Sequence, residues 1–341
     1  MIFRAKAPLR IGLAGGGTDV SPYSDMYGGA ILNATITLYA NASLEFTNDK
    51  SILIEALDRN EREVYNLSET LPVTGYLDLA KGIINRLRND FQFPDQGFTL
   101  STFVDAPAGS GLGTSSTLVV TIISVFAEAL NLPLGEYDLA HYAYEIERID
   151  LKMSGGKQDQ YAATFGGFNF MEFYENDKVI VNPLRIRRET LYELENNIIL
   201  YFTATNRESA KIIIEQQKNV IDKNTQSIEA MHNLKKQAVM MKEAILKGNV
   251  DQIGEILDYG FKQKKLMAYN ISNPLIEDIY ETALKAGASG GKISGAGGGG
   301  FMFFYCPFSS RYKVIQSLKK FGGHFRNYSF TEHGQISWKT K

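Results

Sequence analysis

The residues best suited to chemistry in this sequence follow a predicted strand and open a predicted helix. Gly109, Gly111 and Gly113 alternate with other small or apolar residues. The hydroxyl residues at 114–116 come next and lead into an apolar segment that ends at Leu130. Glycine lets the backbone adopt positive φ and lets a ligand come close to the amide groups. Because free amides and the positive end of a helix dipole meet there, the pattern predicts a phosphate site, to which the hydroxyl groups could add bonds or a ligand for Mg²⁺.

The two commonest nucleotide-binding loops do not fit this segment. The run GSGLGT lacks the final glycine of the dinucleotide fingerprint, and no acidic residue follows about 20 positions later at the end of a second strand. A Walker A loop requires a glycine–lysine–Ser/Thr triplet, which the chain does not contain. The protein-kinase motifs H-R-D and D-F-G are also absent. The segment therefore indicates a phosphate loop of another class, with a capped helix that binds nothing as the alternative.

A carboxylate in a second glycine-flanked segment could complete a phosphoryl-transfer site. Such transfer needs positioning, a metal that neutralises phosphate oxygens, and an acceptor hydroxyl that loses its proton. Asp159 lies in the polar segment SGGKQDQ, where its carboxylate could accept that proton or orient the hydroxyl. On position alone, an ordinary surface aspartate remains the alternative.

Composition and charge narrow the class of protein. A length of 341 residues suggests two domains or one large one. A net charge of −2 gives no overall basic field for nucleic acid or an anionic membrane. The single cysteine, Cys306, cannot form an internal disulfide, and the apolar stretch 118–126 is too short to span a bilayer. We expect a cytoplasmic protein with no nucleic-acid or membrane partner.

The elements that must position these residues are a mixture of strands and helices. Alternating apolar residues predict strands, and a 3.6-residue apolar period predicts helices, of which the region 208–269 is the longest, with breaks near 224 and 249. Its many lysines are interpreted as solvated faces. Hairpin-like strands with segregated helices favour an α+β fold. The composition changes at 182–193, so we divide the chain into domains 1–185 and 186–341.

Three glycine segments together resemble the motifs of the GHMP small-molecule kinases. PAGSGLGTSST (107–117) is similar to the central motif P-x-x-x-G-L-x-S-S-[AS], while APLRIGLAGGGTD (7–19) and KISGAGGGGFMF (292–303) resemble the first and third. The resemblance implies a two-domain α+β fold that binds ATP in the groove between its domains. It assigns ATP binding to Pro107, Gly109, Ser110, Gly111, Leu112, Gly113, Thr114, Ser115, Ser116, Gly297 and Gly298.

The same resemblance implies the catalytic and metal-binding residues. Related sugar kinases carry their catalytic aspartate in a G-x-x-D-Q context like that of Asp159. A similar preceding helix in the family supplies a magnesium-binding glutamate, which corresponds here to Glu147, with Ser115 as the second ligand. Glu145 is the competing carboxylate, but it is offset by about 200° around the helix, so only one of the two should face the site. Arg10 would lie beside Asp159, keep it ionised and stabilise developing charge.

The acceptor side departs from the relatives that phosphorylate galactose. Those kinases carry a Glu-His pair in the first motif, and its side chains contact the sugar. Gly16 and Gly17 stand there in this chain, which removes two contacts, makes room and puts galactose in doubt. Thr18 and Asp19 remain, and Asp19 could accept hydrogen bonds from sugar hydroxyls. These four residues are therefore expected to surround the substrate.

The first motif and GGKQDQYAATFGG resemble more closely the branch that phosphorylates the anomeric hydroxyl of D-glycero-D-manno-heptose 7-phosphate to the 1,7-bisphosphate, in nucleotide-activated heptose biosynthesis. A phosphorylated substrate requires cations, for which Lys6, Arg10 and Lys157 are candidates, with Arg4 and Arg207 as further ones. We therefore expect a sugar 1-kinase that uses ATP and Mg²⁺. A kinase for fucose or another free sugar and a non-catalytic sugar-binding regulator are the alternatives, and a homodimer is one possible assembly.

Overall fold

A computed structural model of the chain describes residues 1–75, 77–205 and 209–340. Its strands are β1 (Ile2–Ala14), β2 (Gly29–Phe46), β3 (Ser51–Ala56), β4 (Glu61–Asn66), β5 (Phe98–Val104), β6 (Phe168–Phe173), β7 (Val179–Pro183), β8 (Ile198–Phe202), β9 (Gly290–Ile293), β10 (Phe301–Tyr305), β11 (His324–Arg326) and β12 (Ile336–Lys339). Its α-helices are α1 (Tyr23–Tyr27), α2 (Asp78–Asp90), α3 (Thr114–Leu130), α4 (Glu136–Tyr144), α5 (Gln158–Phe165), α6 (Arg188–Asn197), α7 (Ser209–Ile221), α8 (Thr225–Lys247), α9 (Ile253–Lys265), α10 (Pro274–Lys285) and α11 (Ser310–Leu318). This mixture confirms the predicted α+β class.

The larger sheet has the strand order β12-β1-β2-β5-β3-β4, with β6 paired to β2 and β7 paired to β6. Its long central pair, β1 and β2, is antiparallel, whereas β3 and β5 run parallel because α2 connects the β3–β4 hairpin to β5. The alternating apolar residues of 31–46 lie in β2, and β3 and β4 pair as an antiparallel hairpin, in agreement with the strand patterns. β1 carries the first glycine segment at its end, so this sheet positions one wall of the site.

Helix α3 packs against the larger sheet and is covered by α2, α4 and α5. Apolar side chains on most of its faces are buried, which explains the apolar run that follows the phosphate loop. The helix begins beside β1, to which the preceding loop is joined by the hydrogen bond from the Arg10 amide to the Leu112 carbonyl. A phosphate at that end would meet backbone groups that are already fixed in place.

The smaller sheet has the order β11-β8-β10-β9, and α8 and α9 connect it to the larger sheet. One apolar cluster contains side chains from both halves of the chain, among them Leu9 and Ile11 with Leu200 and Phe301. Strand β12, which the sequence patterns did not predict, returns from the C-terminus to pair with β1. Both sides of residue 185 thus contribute to the larger sheet, and the division into 1–185 and 186–341 stays a prediction.

The predicted helical region after 208 folds as α7, α8 and α9, with breaks at the two expected places. The Asn224 side chain accepts a hydrogen bond from the Ser227 amide at 3.0 Å and so caps α8. Gly248 ends that helix in a left-handed conformation. None of the described helices is both long and apolar enough to cross a membrane.

Candidate active site

A cavity of about 430 Å³ lies where the three glycine segments meet. Backbone hydrogen bonds join these segments although they are far apart in sequence. The Arg10 amide donates to the Leu112 carbonyl at 3.1 Å, and the Phe301 amide donates to the Ser110 carbonyl at 2.8 Å. The central segment is therefore held between the other two, and all three contribute to one site.

The central segment forms the phosphate-binding geometry that its sequence predicts. Gly109, Gly111 and Gly113 have φ angles of 73°, 85° and 78°, which are left-handed conformations that favour glycine. Helix α3 begins directly afterwards, and residues 114–116 line the cavity. The first amides of a helix have no partner within it. This loop and helix N-terminus together provide a site for a phosphate group.

Three residues assigned to nucleotide binding support the loop from behind. Leu112 is fully buried in the apolar cluster shared by the two halves of the chain, and Ser110 is fully buried too. Pro107 is exposed and does not line the cavity. None of the three side chains lines the cavity, so their part in nucleotide binding stays a prediction.

The third glycine segment reaches the cavity at a different place from the one predicted. The Gly298 amide donates to the Ile271 carbonyl at 2.7 Å, and a Cβ atom on Gly297 would lie 2.6 Å from the Ile271 Cα. These two glycines therefore pack against the loop after α9 and do not line the cavity. Gly295 and Ala296 line it instead. The ATP-binding role of Gly297 and Gly298 stays a prediction, and the residues of this loop that line the cavity lie two positions earlier.

Arg10, which is buried, and Asp159, which is half-buried, form an ion pair in the lining of the cavity. The Arg10 Nε and Nη2 atoms lie 2.7 Å and 2.6 Å from the same oxygen, Asp159 Oδ1. The third nitrogen, Nη1, donates to the Gly111 carbonyl at 2.6 Å, so the pair is fastened to the phosphate loop. No described residue donates a hydrogen bond to Asp159 Oδ2. That oxygen is oriented toward the cavity by Arg10 and can accept a proton from a hydroxyl group there.

Ser115 and Glu147 provide paired oxygen ligands next to the phosphate loop. The Ser115 hydroxyl donates to Glu147 Oε1 at 2.8 Å, and the side-chain amide of Gln160 donates to Glu147 Oε2 at 2.7 Å. Arg148 Nη1 lies 3.1 Å from Glu147 Oε1. A π-helical stretch, Glu145–Asp150, follows α4, and π-helical turns often mark functional sites. A hydroxyl and a carboxylate beside a phosphate site are the hard donors that Mg²⁺ prefers.

Glu145, the competing carboxylate, lies on another face of the same stretch. Its Oε2 atom accepts a hydrogen bond from Arg86 at 3.1 Å, and its Oε1 atom lies 3.5 Å from His141. It does not line the cavity, whereas Glu147 does. Because the two residues are offset around the helix, Glu147 faces the cavity and Glu145 faces Arg86.

Asp19 brings a third carboxylate into the cavity from the first glycine segment. Its side chain is buried and accepts hydrogen bonds from the backbone amides of Gln158, at 3.1 Å, and Gly17, at 3.3 Å. A Cβ atom on Gly156 would lie 1.9 Å from Asp19 Oδ2, so only glycine allows this approach. Burial, followed by the nearby charge of Asp159, raises the pKa of Asp19 above its ordinary value of 3.8.

The neighbouring residues of this segment have different tasks. Thr18 is fully buried, and its hydroxyl donates to the Gly15 and Ala30 carbonyls at 2.9 Å and 3.0 Å. It therefore fixes the loop and does not line the cavity. Gly16 and Gly17 do line it. Of the four residues predicted to surround the substrate, Gly16, Gly17 and Asp19 line the cavity, and Thr18 does not.

Two predicted phosphate-binding lysines do not reach the cavity. The Lys157 ammonium is buried between Asp25 at 3.2 Å and Asp177 at 2.7 Å, which neutralise it. The Lys6 ammonium lies 4.7 Å from the centre of the Tyr39 ring. Neither residue lines the cavity. Arg207, a further candidate, lies outside the described residues.

Two other lysines, which the sequence patterns did not single out, do line the cavity. Lys264 in α9 is only 2 % exposed, and its ammonium donates to the Gly16 carbonyl at 3.3 Å. Lys292 in β9 is 4 % exposed and donates to the Gly12 carbonyl at 2.9 Å. Lys264 stands among lysines interpreted as a solvated face, so no local signal distinguishes it. Lys292 is the first residue of the third glycine motif, and this position was the sequence signal that could have identified it.

An adjoining cavity of about 630 Å³ continues from the phosphate loop toward α2. Its walls include the apolar residues Leu77, Val104, Leu118 and Leu151, and it shares Met153 with the main cavity. Apolar walls beside a polar phosphate site are typical of a pocket for a planar organic group. The pair of cavities fits a nucleotide, with the base in the apolar part and the phosphates at the loop.

Comparison with known proteins agrees with this geometry. Residues 78–167 match the family "GHMP kinases N terminal domain", and residues 241–324 match "GHMP kinases C terminal". The chain is 49 % identical over 336 residues to the D-glycero-alpha-D-manno-heptose 7-phosphate kinase of Campylobacter jejuni, covering 98 % of both sequences. It is 24 % identical to a bifunctional fucokinase/GDP-fucose pyrophosphorylase of Arabidopsis thaliana, over 92 % of this chain and 30 % of that protein.

A solved structure supports the same relationship. The crystal structure of a D-glycero-D-manno-heptose 1-phosphate kinase from Bacteroides thetaiotaomicron superposes with a TM-score of 0.83 at 45 % identity, covering 99 % of both chains. Family matches, a relative that is similar over nearly the full length, and the assembled site all agree. The chain is a sugar kinase and belongs to the GHMP kinase family.

Proposed function

We propose that this kinase transfers the γ-phosphoryl group of ATP to the anomeric hydroxyl of D-glycero-D-manno-heptose 7-phosphate, giving the 1,7-bisphosphate and ADP. The observation that carries the proposal is the Arg10–Asp159 pair, which is tied to the phosphate loop through the Gly111 carbonyl. The names of the two similar kinases place the existing phosphate at different carbons. We choose the 7-phosphate because the anomeric hydroxyl must be unmodified to accept a phosphoryl group.

In the proposed reaction, Asp159 Oδ2 accepts the proton of the anomeric hydroxyl. The anomeric oxygen forms a bond to the γ-phosphorus, and the bond from that phosphorus to the bridging oxygen breaks, so ADP leaves with the electron pair. Arg10 holds Asp159 Oδ1 through two nitrogens and thereby aims Oδ2. Positioning and charge stabilisation supply most of the rate in such transfers.

Ser115 and Glu147 would hold Mg²⁺ beside the nucleotide phosphates. Their oxygens are 2.8 Å apart and line the cavity at the start of α3, so the donor set fits the ion. When bound, the ion neutralises charge on the phosphate oxygens. Arg148, which also contacts Glu147, adds a positive charge to the same side of the cavity.

The nucleotide would occupy the loop 109–116 and the adjoining apolar cavity. Amides at the N-terminus of α3 would receive the phosphates, while Leu118 and Leu151 would contact the base. Asp19 would accept hydrogen bonds from sugar hydroxyls on the other side of Asp159. Donor and acceptor would thus approach the Arg10–Asp159 pair from opposite sides.

The test measures ADP release with a panel of acceptors: the heptose 7-phosphate, the unphosphorylated heptose, L-fucose and D-galactose. We expect turnover of the heptose 7-phosphate, with a loss of about 10³-fold in kcat for Asp159→Asn. Asp95→Asn, an exposed residue paired with Lys50, is the matched control and should behave like the wild type. Turnover of free fucose without the heptose 7-phosphate would favour the free-sugar alternative, and no turnover with any sugar would overturn the proposal.

Compartment and assembly are part of the same proposal. We place the enzyme in the cytoplasm, where ATP is available, and we keep the homodimer as a prediction. Fractionation of cells and light scattering of the purified protein test these two points separately from the activity.

A further inference from the structure

Two buried ammonium groups converge on one point of the cavity wall. A Cβ atom on Gly16 would lie 3.8 Å from the Lys264 Nζ and 3.9 Å from the Lys292 Nζ. The two lysines come from α9 and β9, so neither their spacing nor their neighbours in sequence bring them together. An anion placed at this point could contact both ammonium groups, and charge-assisted hydrogen bonds of this kind are strong.

A third donor at the same place has no partner. Gln216 in α7 is 2 % exposed and lines the cavity, and its Nε2 group makes no hydrogen bond within the described residues. Its Oε1 atom would lie 3.6 Å from a Cβ on Gly17, next to the point where the lysines meet. A buried amide donor without an acceptor is uncommon in folded proteins. A ligand with several acceptor oxygens would satisfy it.

The charges around Lys292 also fit an anion. Within the described residues no carboxylate forms an ion pair with it, and its ammonium donates to the Gly12 carbonyl. Burial, with smaller effects from the charges of Lys264 and Arg10, lowers the pKa of Lys292 well below its usual range. A dianionic group between the two lysines would counter both effects.

The position of the cluster favours the acceptor substrate over the nucleotide. Both ammonium groups donate to carbonyls of segment 7–19, at Gly12 and Gly16, and the same segment carries Asp19. The nucleotide loop has its own anion site at the start of α3. The cluster therefore borders the wall of the cavity that we assign to the sugar.

We infer that Lys264, Lys292 and Gln216 form a subsite for the phosphate monoester that the sugar substrate already carries. The inference rests on the proposed function for the identity of that sugar. It replaces Lys6 and Lys157 as the predicted phosphate ligands. The inference also explains why glycine stands at position 16, because a larger side chain there would occupy the space between the two ammonium groups.

The experiment compares Lys264→Met and Lys292→Met with the wild type in steady-state kinetics. We expect KM for the heptose 7-phosphate to rise about 10- to 100-fold in each variant, with KM for ATP nearly unchanged. Lys265→Met is the matched control, because Lys265 follows Lys264 directly but pairs with Glu277 outside the cavity. Thermal unfolding of every variant verifies the fold.

Calorimetry supplies a readout that does not depend on turnover. Heptose 7-phosphate and inorganic phosphate are titrated separately into each protein without ATP. Both should bind the wild type and bind the two lysine variants at least 10-fold more weakly. Gly16→Asp, which would place a carboxylate between the ammonium groups, should also lose both ligands, so the inference stays testable if a lysine variant fails to fold.

The outcomes separate this inference from the proposed function. A rise in KM for ATP alone would assign the lysines to the γ-phosphate and overturn the subsite. Unchanged binding of both probes in all three variants would overturn it too. Phosphate binding that the variants lose, in an enzyme that does not turn over the heptose 7-phosphate, would support the subsite and overturn the proposed substrate.

Discussion

The nucleotide side and the acceptor side of the cavity are built in different ways. One continuous segment, 109–116, followed by α3, forms the nucleotide side. The acceptor side combines segment 7–19 with α7, α9 and β9, which are separated by up to 280 positions where Lys292 meets Gly12. The first side relies mainly on backbone amides and hydroxyls, with the buried Glu147 beside them, whereas the second relies on charged side chains from several elements.

This difference follows from the chemistry each side must recognise. Backbone amides at a helix N-terminus bind any phosphate chain and need no buried charge. A particular sugar phosphate must be selected by side chains, and buried ions such as Asp19 and Lys292 are costly unless a ligand compensates them. We therefore expect substitutions on one side to affect one substrate and to spare the other.

Among the substitutions that separate the two sides, Glu147→Gln should have the largest effect, on the nucleotide side. Loss of the carboxylate charge beside Ser115 should lower kcat about 100-fold and shift activity to higher Mg²⁺ concentrations. KM for the sugar should stay the same. Rates measured across a Mg²⁺ titration test this, with Glu145→Gln as a control on the opposite face. An unaltered Mg²⁺ dependence would contradict the assignment.

Asp19→Asn should act mainly on the acceptor side. The loss of a charged acceptor for sugar hydroxyls should raise KM for the sugar about 10-fold or more, with little change in KM for ATP. Asp25→Asn removes a carboxylate that faces Lys157 outside the cavity and serves as the control. If both KM values rose equally, the separation between the two sides would be wrong.

Ala108→Trp should have a smaller effect, restricted to the nucleotide. Ala108 is exposed and lines the apolar cavity, so an indole there should crowd the base without disturbing the core. We expect KM for ATP to rise about 3- to 10-fold, the range that one hydrophobic contact usually provides. KM for the sugar is the internal control, and a rise in it would place the base elsewhere.

The smallest expected effect is a change in the pKa of Asp19 when the charge of Asp159 is removed. Because the folded protein raises this pKa, Asp19 contributes stability at low pH that is lost as the pH rises through the folded value. Asp159→Asn removes a repelling charge, so it should lower the pKa of Asp19 toward 3.8. Carboxyl ¹³C NMR titration measures this, and an unchanged value would mean that the two groups do not interact.

Local patterns predicted most of the elements and the nucleotide side. The phosphate loop, the start of α3 and the ends of α8 depend on glycine and capping residues within a few positions, and such signals can be read directly. The choice of Arg10 and Asp159 came from the family resemblance, and the structure places them in contact. Strand β12 and the role of Gly295 were not predicted, because strand pairing and loop packing depend on distant partners.

The sequence by itself determined the fold class, the phosphate loop and the carboxylates available for chemistry. Each of these depends on short-range geometry, which neighbouring residues largely decide. Only the tertiary structure decided which charges face the cavity. Lys157 and Lys264 are both buried lysines in polar segments, yet Lys157 lies between Asp25 and Asp177 outside the cavity while Lys264 lines it. The counter-charges come from remote segments, so the free energy of a buried ion is fixed by the fold and not by its sequence neighbours.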